Sequence, residues 1–342
     1  MTSNTTNSIA QSENLQNLDI SAVRELILSS KDIILTTHKN SDGDGLGSLA
    51  GLYWALQTIP TQKVNFMPVD QIPDRYSFLT EKLNLISQIS ASEKTLLIVL
   101  DTNQGELCSP VYDQALSANI PILFIDHHIE HITTSSPKIF RHINKSAAST
   151  GEVIYDLILN LDIPLDDTIA EALYASLTFD TQAFKLVKNS SRSHLIASHL
   201  ADFKINTEKI QRSLFAHWTP LKMNFLAELI STSEYQANNQ VVGLYVDLTQ
   251  LEKYKMSGDD VNDLIDLFTL IPTIKFAYLI RETSPNEYKI SFRSTLSNMA
   301  YTAAFNLGGG GHAYSSGVWL KNTTLTEVKN KIQAELKLLH LA

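Results

Sequence analysis

The tripeptide Asp126-His127-His128 closes an apolar run, Ile122-Leu123-Phe124-Ile125. Two imidazoles and a carboxylate at the end of a strand suit a divalent metal better than a core, where unpaired polar groups are costly. Two similar events precede it. The run Ile33-Ile34-Leu35-Thr36-Thr37 ends in His38, with Asp42 and Asp44 just beyond. The run Leu96-Leu97-Ile98-Val99-Leu100 ends in Asp101. A further carboxylate, Asp180, follows the apolar stretch Leu177-Thr178-Phe179.

Together His38, Asp42, Asp44, Asp101, His127 and Asp180 supply two imidazoles and four carboxylates. Two divalent ions would balance the charge of that set and still attract a phosphate. Mixed nitrogen and oxygen donors favour Mn²⁺ over Mg²⁺, which prefers oxygen and retained water, although Mg²⁺ is compatible. Each acid also has a plainer reading. Asp42 and Asp44 stand where helix caps are common, Asp101 where turns begin, and Asp180 where helices stop.

The distal half carries Gly308-Gly309-Gly310-Gly311-His312. Consecutive glycines let an anionic ligand approach backbone N–H groups, and His312 adds a donor; a linker is the alternative. Arg293 could offer a phosphate-binding fork, or be an ordinary surface arginine. Phe184 and Tyr314 could stack on a base, or pack as core or rim. His131, His142, His194, His199, His217 and His340 have no telling spacing and read as surface or packing residues.

The elements that must position these groups alternate apolar runs with amphipathic segments. This pattern predicts an α/β fold with an N-terminal parallel sheet. Strands are expected at 33–37, 63–69, 96–100 and 122–125. Helices are expected from about 19 to 28, 46 to 56, 150 to 159 and 168 to 177, with a Gly-rich turn before the second. Sites in such sheets form outside the carboxyl ends of strands. A second, smaller α/β domain follows, with strands at 241–246, 273–280 and 288–293 and helices near 259–268 and 325–339. The expected organisation is a polar disordered tail over 1–18, a metal-binding domain over 19–203, a helical linker over 204–230 and a C-terminal domain over 231–342.

A chain of 342 residues suggests two domains, and 44% hydrophobic with 18% charged residues is ordinary for a globular protein. The net charge of −9 argues against coating long nucleic acid, but not against small phosphorylated ligands near bound cations. The single cysteine, Cys108, excludes an internal disulfide and fits a reducing cytoplasm. No stretch reads as a membrane span or signal peptide.

In combination these motifs resemble the DHH phosphoesterases, specifically those whose C-terminal domain bears a GGGGH loop. The resemblance rests on His38, Asp42-Gly43-Asp44, Asp101, Asp126-His127-His128, Asp180, Arg293 and Gly308–His312, in order. It covers nearly everything after the polar tail and is most similar to the oligoribonuclease and pAp phosphatase branch. It implies two-metal hydrolysis of short oligonucleotides to mononucleotides, or of pAp to AMP. Asp101 and Asp180 would serve both ions, with His38 and Asp42 completing one and Asp44 and His127 the other. His128 would contact the scissile phosphate, while Asp126 orients an imidazole. Arg293, Gly309, Gly310, Gly311 and His312 would bind substrate.

Related readings are a cyclic-dinucleotide or RecJ-like single-strand phosphodiesterase; from another class, a non-catalytic nucleotide-binding regulator. Short oligonucleotides or nucleotide bisphosphates are the expected partners, without long duplexes or membranes, and a homodimer is compatible. The sequence departs from the family pattern at Ser41, His131, Gln182-Ala183 and Ser315-Ser316, none of which is an expected ligand.

Overall fold

The structure, a computed structural model, describes residues 17–128, 136–187, 190–216, 218–262, 264–311 and 313–341. The chain divides into two compact units, Met1–His217 and Trp218–Ala342. In the first unit the apolar runs become β1 (Asp32–Thr37), β2 (Lys63–Phe66), β3 (Thr95–Leu100), β4 (Ile122–Asp126) and β5 (Ile139–Ile143). They form one sheet in the order β2-β1-β3-β4-β5, and every neighbouring pair is parallel. All six residues of β3 are buried, as continuous apolar strands are when helices cover both faces of a parallel sheet.

The helices of this unit are α1 (Ile20–Ser29), α2 (Gly43–Gln57), α3 (Ser77–Thr80), α4 (Val111–Ser117), α5 (Thr150–Asn160), α6 (Asp167–Asp180), α7 (Ser190–Ala201) and α8 (Thr207–Phe215). The sequence stops short of β5 because Arg141 and His142 interrupt the apolar run of this edge strand. The disordered tail expected over 1–18 lies almost wholly outside the described residues. At its end, Asn17 bridges to Arg141 and Leu18 N–H donates to the Arg141 carbonyl at 2.7 Å.

The expected Gly-rich turn before a helix at 46 is a correction. The segment Gly43–Gly47 is already helical, with Asp42 as the N-cap of α2. Its glycines serve close packing rather than a flexible loop. A Cβ on Gly47 would sit 2.7 Å from the Ala172 carbonyl oxygen and 2.8 Å from Ser176 N, both on α6. A Cβ on Gly43 would sit 2.6 Å from the Phe179 ring. Helices α2, α5 and α6 therefore meet almost backbone to backbone, which brings their polar ends together.

The second unit holds α9 (Pro220–Ser231), β6 (Glu234–Gln236), β7 (Val241–Val246), α10 (Leu248–Tyr254), α11 (Gly258–Asn262), α12 (Leu264–Phe268), β8 (Phe276–Ser284), β9 (Glu287–Ser294), α13 (Met299–Asn306), β10 (Gly310–Gly311), β11 (Ser315–Lys321) and α14 (Leu325–Leu338). Its mixed sheet runs β10-β11-β9-β8-β7-β6, with only β7 and β8 parallel. Two apolar clusters build its core, one including Phe292, Ala303 and Ile332, the other Phe225, Leu244 and Leu279. The segment expected as a linker, 204–230, contains two helices with different cores. Ile210 and Leu214 of α8 pack in the first unit, and Phe225 and Leu229 of α9 in the second. Among the described residues, no helix is long and apolar enough to cross a membrane.

Gly-to-Ala substitution in a helix interior ordinarily stabilises by about 1 kcal/mol. At Gly47 the new methyl would meet backbone atoms that cannot rotate away. Gly47→Ala should therefore destabilise the protein by about 1–3 kcal/mol, measured as a lowered denaturant midpoint in equilibrium unfolding.

Candidate metal centre

The carboxyl ends of β1, β3 and β4 deliver His38, Asp101 and Asp126-His127-His128 to one edge of the sheet. The first turn of α2 adds Asp42 and Asp44, and the last residue of α6 adds Asp180. The donor atoms fall into overlapping groups whose members lie within 4.8 Å of one another: His38, Asp42 and Asp101; Asp44, His127 and Asp180; and Asp101, Asp126, His127 and His128. All six expected ligands thus converge, from sequence positions far apart.

Asp101 occupies the middle. Its Oδ2 lies 3.5 Å from His38 Nε2, while its Oδ1 lies 3.8 Å from His127 Nε2. Its backbone is left-handed at φ 63, a conformation that costs energy in most residues and is tolerated by Asp. His127 Nε2 also lies 3.2 Å from Asp180 Oδ2 and 3.6 Å from Asp44 Oδ2.

Two of the three histidines share one orientation. His38 Nδ1 lies 2.9 Å from the Lys39 carbonyl, and His127 Nδ1 lies 3.3 Å from the Ala147 carbonyl. A carbonyl only accepts, so each Nδ1 carries the proton and each Nε2 presents its lone pair to the carboxylates. His128 is held differently. Its Nδ1 donates to Asp126 Oδ1 at 2.7 Å, and Asn103 Nδ2 donates to Asp126 Oδ2 at 2.7 Å. Burial works against the His128 cation, but the hydrogen bond and charge of Asp126 outweigh it and raise the imidazole's pKa. Burial likewise works against the Asp126 anion, and bonding to His128 nonetheless lowers that carboxyl below its usual range.

Asp42 is a helix cap that also stands among the candidate ligands. Its Oδ1 caps α2 by accepting from Asp44 N at 3.0 Å and Gly45 N at 3.1 Å. The same carboxylate also stands in the group with His38 and Asp101. Asp44 is anchored by groups that the sequence did not single out. Its Oδ2 accepts from Thr150 N at 2.8 Å; its Oδ1 accepts from Gly151 N at 3.3 Å and from the Ser176 hydroxyl. Thr150 Oγ1 donates to Asp101 Oδ1 at 2.9 Å. The only advance signal for Thr150 was its place at a helix start, which reads as capping.

This arrangement fits divalent ions on its own chemistry. Burial pushes the Asp44 carboxyl up to about 6, helped by Asp42, although its hydrogen bonds resist. Burial also pushes Asp101 well above the carboxylate range, with Asp44, Asp42, Asp126 and Asp180 adding repulsion. Like charges so close in a low dielectric call for compensating cations.

The second-unit candidates are placed as follows. Arg293 donates from Nε to Asp266 Oδ1 at 2.5 Å and from Nη1 to the Phe292 carbonyl at 3.1 Å. Gly308 N and Gly309 N close the end of α13 by donating to Phe305 and Ala304 carbonyls at 3.0 and 2.8 Å. The expected loop is a strand at Gly310 and Gly311, which pair with Gly317 and Ser316 and remain exposed. His312, like His131 and His217, lies outside the described residues. Phe184 packs against His194 and Tyr174 at ring separations of 5.2 and 6.5 Å, whereas Tyr314 is exposed. Burial pushes the Cys108 thiol up to about 12, which leaves it unreactive at neutral pH.

Residues 32–177 match the family described as DHH family, N-terminal domain. That stretch is similar to a DHH-family domain. Its β1, β3 and β4 ends and most of the carboxylate cluster fall inside the matched stretch, and Asp180 lies just beyond it. The chain is similar to a membrane protein-large ribosomal subunit bL9 fusion protein of Aster yellows witches'-broom phytoplasma, at 26% identity over 92% of this chain but only 38% of that protein's length. It is also similar to the bifunctional oligoribonuclease and PAP phosphatase NrnA of Thermus thermophilus, at 23% identity over 88% of this chain and 87% of that protein. Among solved structures it shares its fold with an exopolyphosphatase-related protein from Bacteroides fragilis. The TM-score is 0.82 at 20% identity, over 93% of this chain and 95% of that one.

The raised Asp44 carboxyl gives a pH signature in metal-free protein. A group whose folded pKa exceeds its ordinary value contributes stability at low pH and loses it as pH rises through the folded value. With a chelator present, wild type should lose about 1–3 kcal/mol relative to Asp44→Asn as pH rises from 4 to 7. Paired denaturant titrations across that range check this, and a pH-independent difference would contradict it.

Proposed function

We propose that the protein is a two-metal phosphoesterase that hydrolyses short oligonucleotides to mononucleotides, pAp to AMP, or both. The observation that carries this reading is the position of Asp101, whose two oxygens face His38 on one side and His127 on the other. His38 and Asp42 would hold one ion, Asp44 and His127 the other, with Asp101 and Asp180 serving both. Mn²⁺ suits this mixed nitrogen and carboxylate set best, and Mg²⁺ is the second choice. A pair of divalent ions supplies charge stabilisation to the phosphoryl oxygens and an attacking water activated at neutral pH.

The chain's own residues do the rest. His38 and His127 are pre-oriented by backbone carbonyls, so binding an ion requires no tautomer change. His128 is the proton donor in this reading. The Asp126 carboxylate raises its pKa and so favours its protonated form, Asp126 and Asn103 fix its ring, and it is the most exposed of the three imidazoles. It would contact the scissile phosphate and protonate the leaving ribose oxygen. Arg293, Gly309, Gly310, Gly311 and His312 are assigned to the substrate's remaining phosphate or terminal nucleotide. The exposed Gly310–Gly311 edge supports part of that assignment. The oligoribonuclease and PAP phosphatase named among the relatives favours the same substrates.

The deciding experiment offers pAp, linear and cyclic dinucleotides, and oligonucleotides of graded length, each with Mn²⁺ or Mg²⁺. The expected result is chelator-sensitive hydrolysis, strongest on pAp or dinucleotides and falling with length; tight nucleotide binding without turnover would favour a regulator instead. Asp101→Ala should reduce turnover to background. His128→Ala should lower kcat by ~10²–10⁴-fold, the range for a lost general acid, with a smaller change in KM.

A further inference from the structure

We propose that Thr150 is a positioning residue that sets the plane of the Asp101 carboxylate, so that its two oxygens face the two halves of the metal centre. The inference rests on the two-ion reading above and assigns a role to a side chain that is not itself a ligand.

The need for such a residue is physical. The terminal torsion of an aspartate is broad and roughly two-fold, so nothing intrinsic to Asp101 fixes its carboxylate plane. Yet the arrangement requires one orientation, with Oδ2 at 3.5 Å from His38 Nε2 and Oδ1 at 3.8 Å from His127 Nε2. The hydroxyl of Thr150, which donates to Oδ1 at 2.9 Å, supplies that constraint. When Asp101 is ionised, as it would be with divalent ions bound, this charge-assisted bond is stronger than a neutral pair, and Thr150 is fully buried, so water does not compete for it.

Its place in the chain makes the constraint stiff. Thr150 opens α5, where its hydroxyl has no carbonyl one turn back to bond. Its backbone N–H donates to Asp44 Oδ2 at 2.8 Å, so one residue ties together carboxylates from both ligand groups. The next residue must be glycine, since a Cβ on Gly151 would lie 2.0 Å from Ser176 Oγ, the hydroxyl that holds the other Asp44 oxygen. Thr150 is therefore locked against both α2 and α6.

Valine has the shape of threonine without the hydroxyl, and it keeps the backbone N–H that Asp44 needs. Thr150→Val thus removes the Asp101 contact alone. Manganese titration by calorimetry, with electron paramagnetic resonance of the loaded protein, reads the result without any substrate. Wild type should bind two Mn²⁺ ions with a spin-coupled spectrum. Thr150→Val should retain one ion, weaken the other by ~10–100-fold, the usual cost of losing a partner behind a metal ligand, and show an uncoupled spectrum. Thr150→Ser, which restores the hydroxyl, should recover both affinity and coupling. Circular dichroism and a metal-free thermal melt report folding, and Thr150→Ala replaces the valine variant if that one fails to fold. Two tight ions and an intact coupled spectrum without the hydroxyl would overturn the role of Thr150 alone. A wild type that binds fewer than two ions would overturn it together with the two-ion reading.

Discussion

Four aspartates gathered at one edge of the sheet, Asp42, Asp44, Asp101 and Asp180, two of them buried, are the constraint around which the first unit is organised. Asp44 and Asp101 are almost fully buried, and each is pushed towards its neutral form by burial and by its neighbours. Such an arrangement opposes folding unless it is compensated. The protein supplies part of the compensation as backbone N–H groups, hydroxyls and imidazoles; the rest is the positive charge that divalent ions would carry.

The scaffold explains how the cluster can exist at all. A parallel sheet sends the ends of β1, β3 and β4 to one edge, so three separate stretches of chain deliver candidate ligands to one place. Helices α2, α5 and α6 then press their polar ends against that edge. Their close approach depends on Gly47 and Gly151, where any side chain would strike α6. The close packing and the chemistry are the same feature here. Asp44 reaches the N–H groups of α5 and the Ser176 hydroxyl of α6 only because these helices meet nearly backbone to backbone.

The three imidazoles show how identical side chains acquire different work. His38 and His127 each have Nδ1 against a carbonyl, which leaves Nε2 as a lone-pair donor. His128 has Nδ1 against a buried carboxylate, which stabilises its cation and suits it to hold a proton. In the proposed two-metal reading, the neighbouring acceptor, rather than the residue type, separates a ligand from an acid.

Much of this was legible in the chain itself. Apolar runs ending in His38, Asp101 and Asp126 announced both the sheet and the edge on which a site would form, because a buried parallel strand must be apolar and its end is where polarity can resume. The edge strand β5 was not legible, since Arg141 and His142 break its run. Nor was the helical state of Gly43–Gly47, whose glycines look like a loop until α6 is seen lying against them. In the glycine run after α13, composition suggested four open N–H groups, but two of them close that helix. The sequence by itself determined which residues can carry the chemistry, since side-chain type and strand periodicity are local properties. Only the tertiary structure decided that Thr150, Gly151 and Ser176 hold Asp44, that Thr150 also reaches Asp101, and which imidazole nitrogen faces the carboxylates. Those outcomes depend on contacts between helices and strands distant in sequence, and no local pattern encodes them.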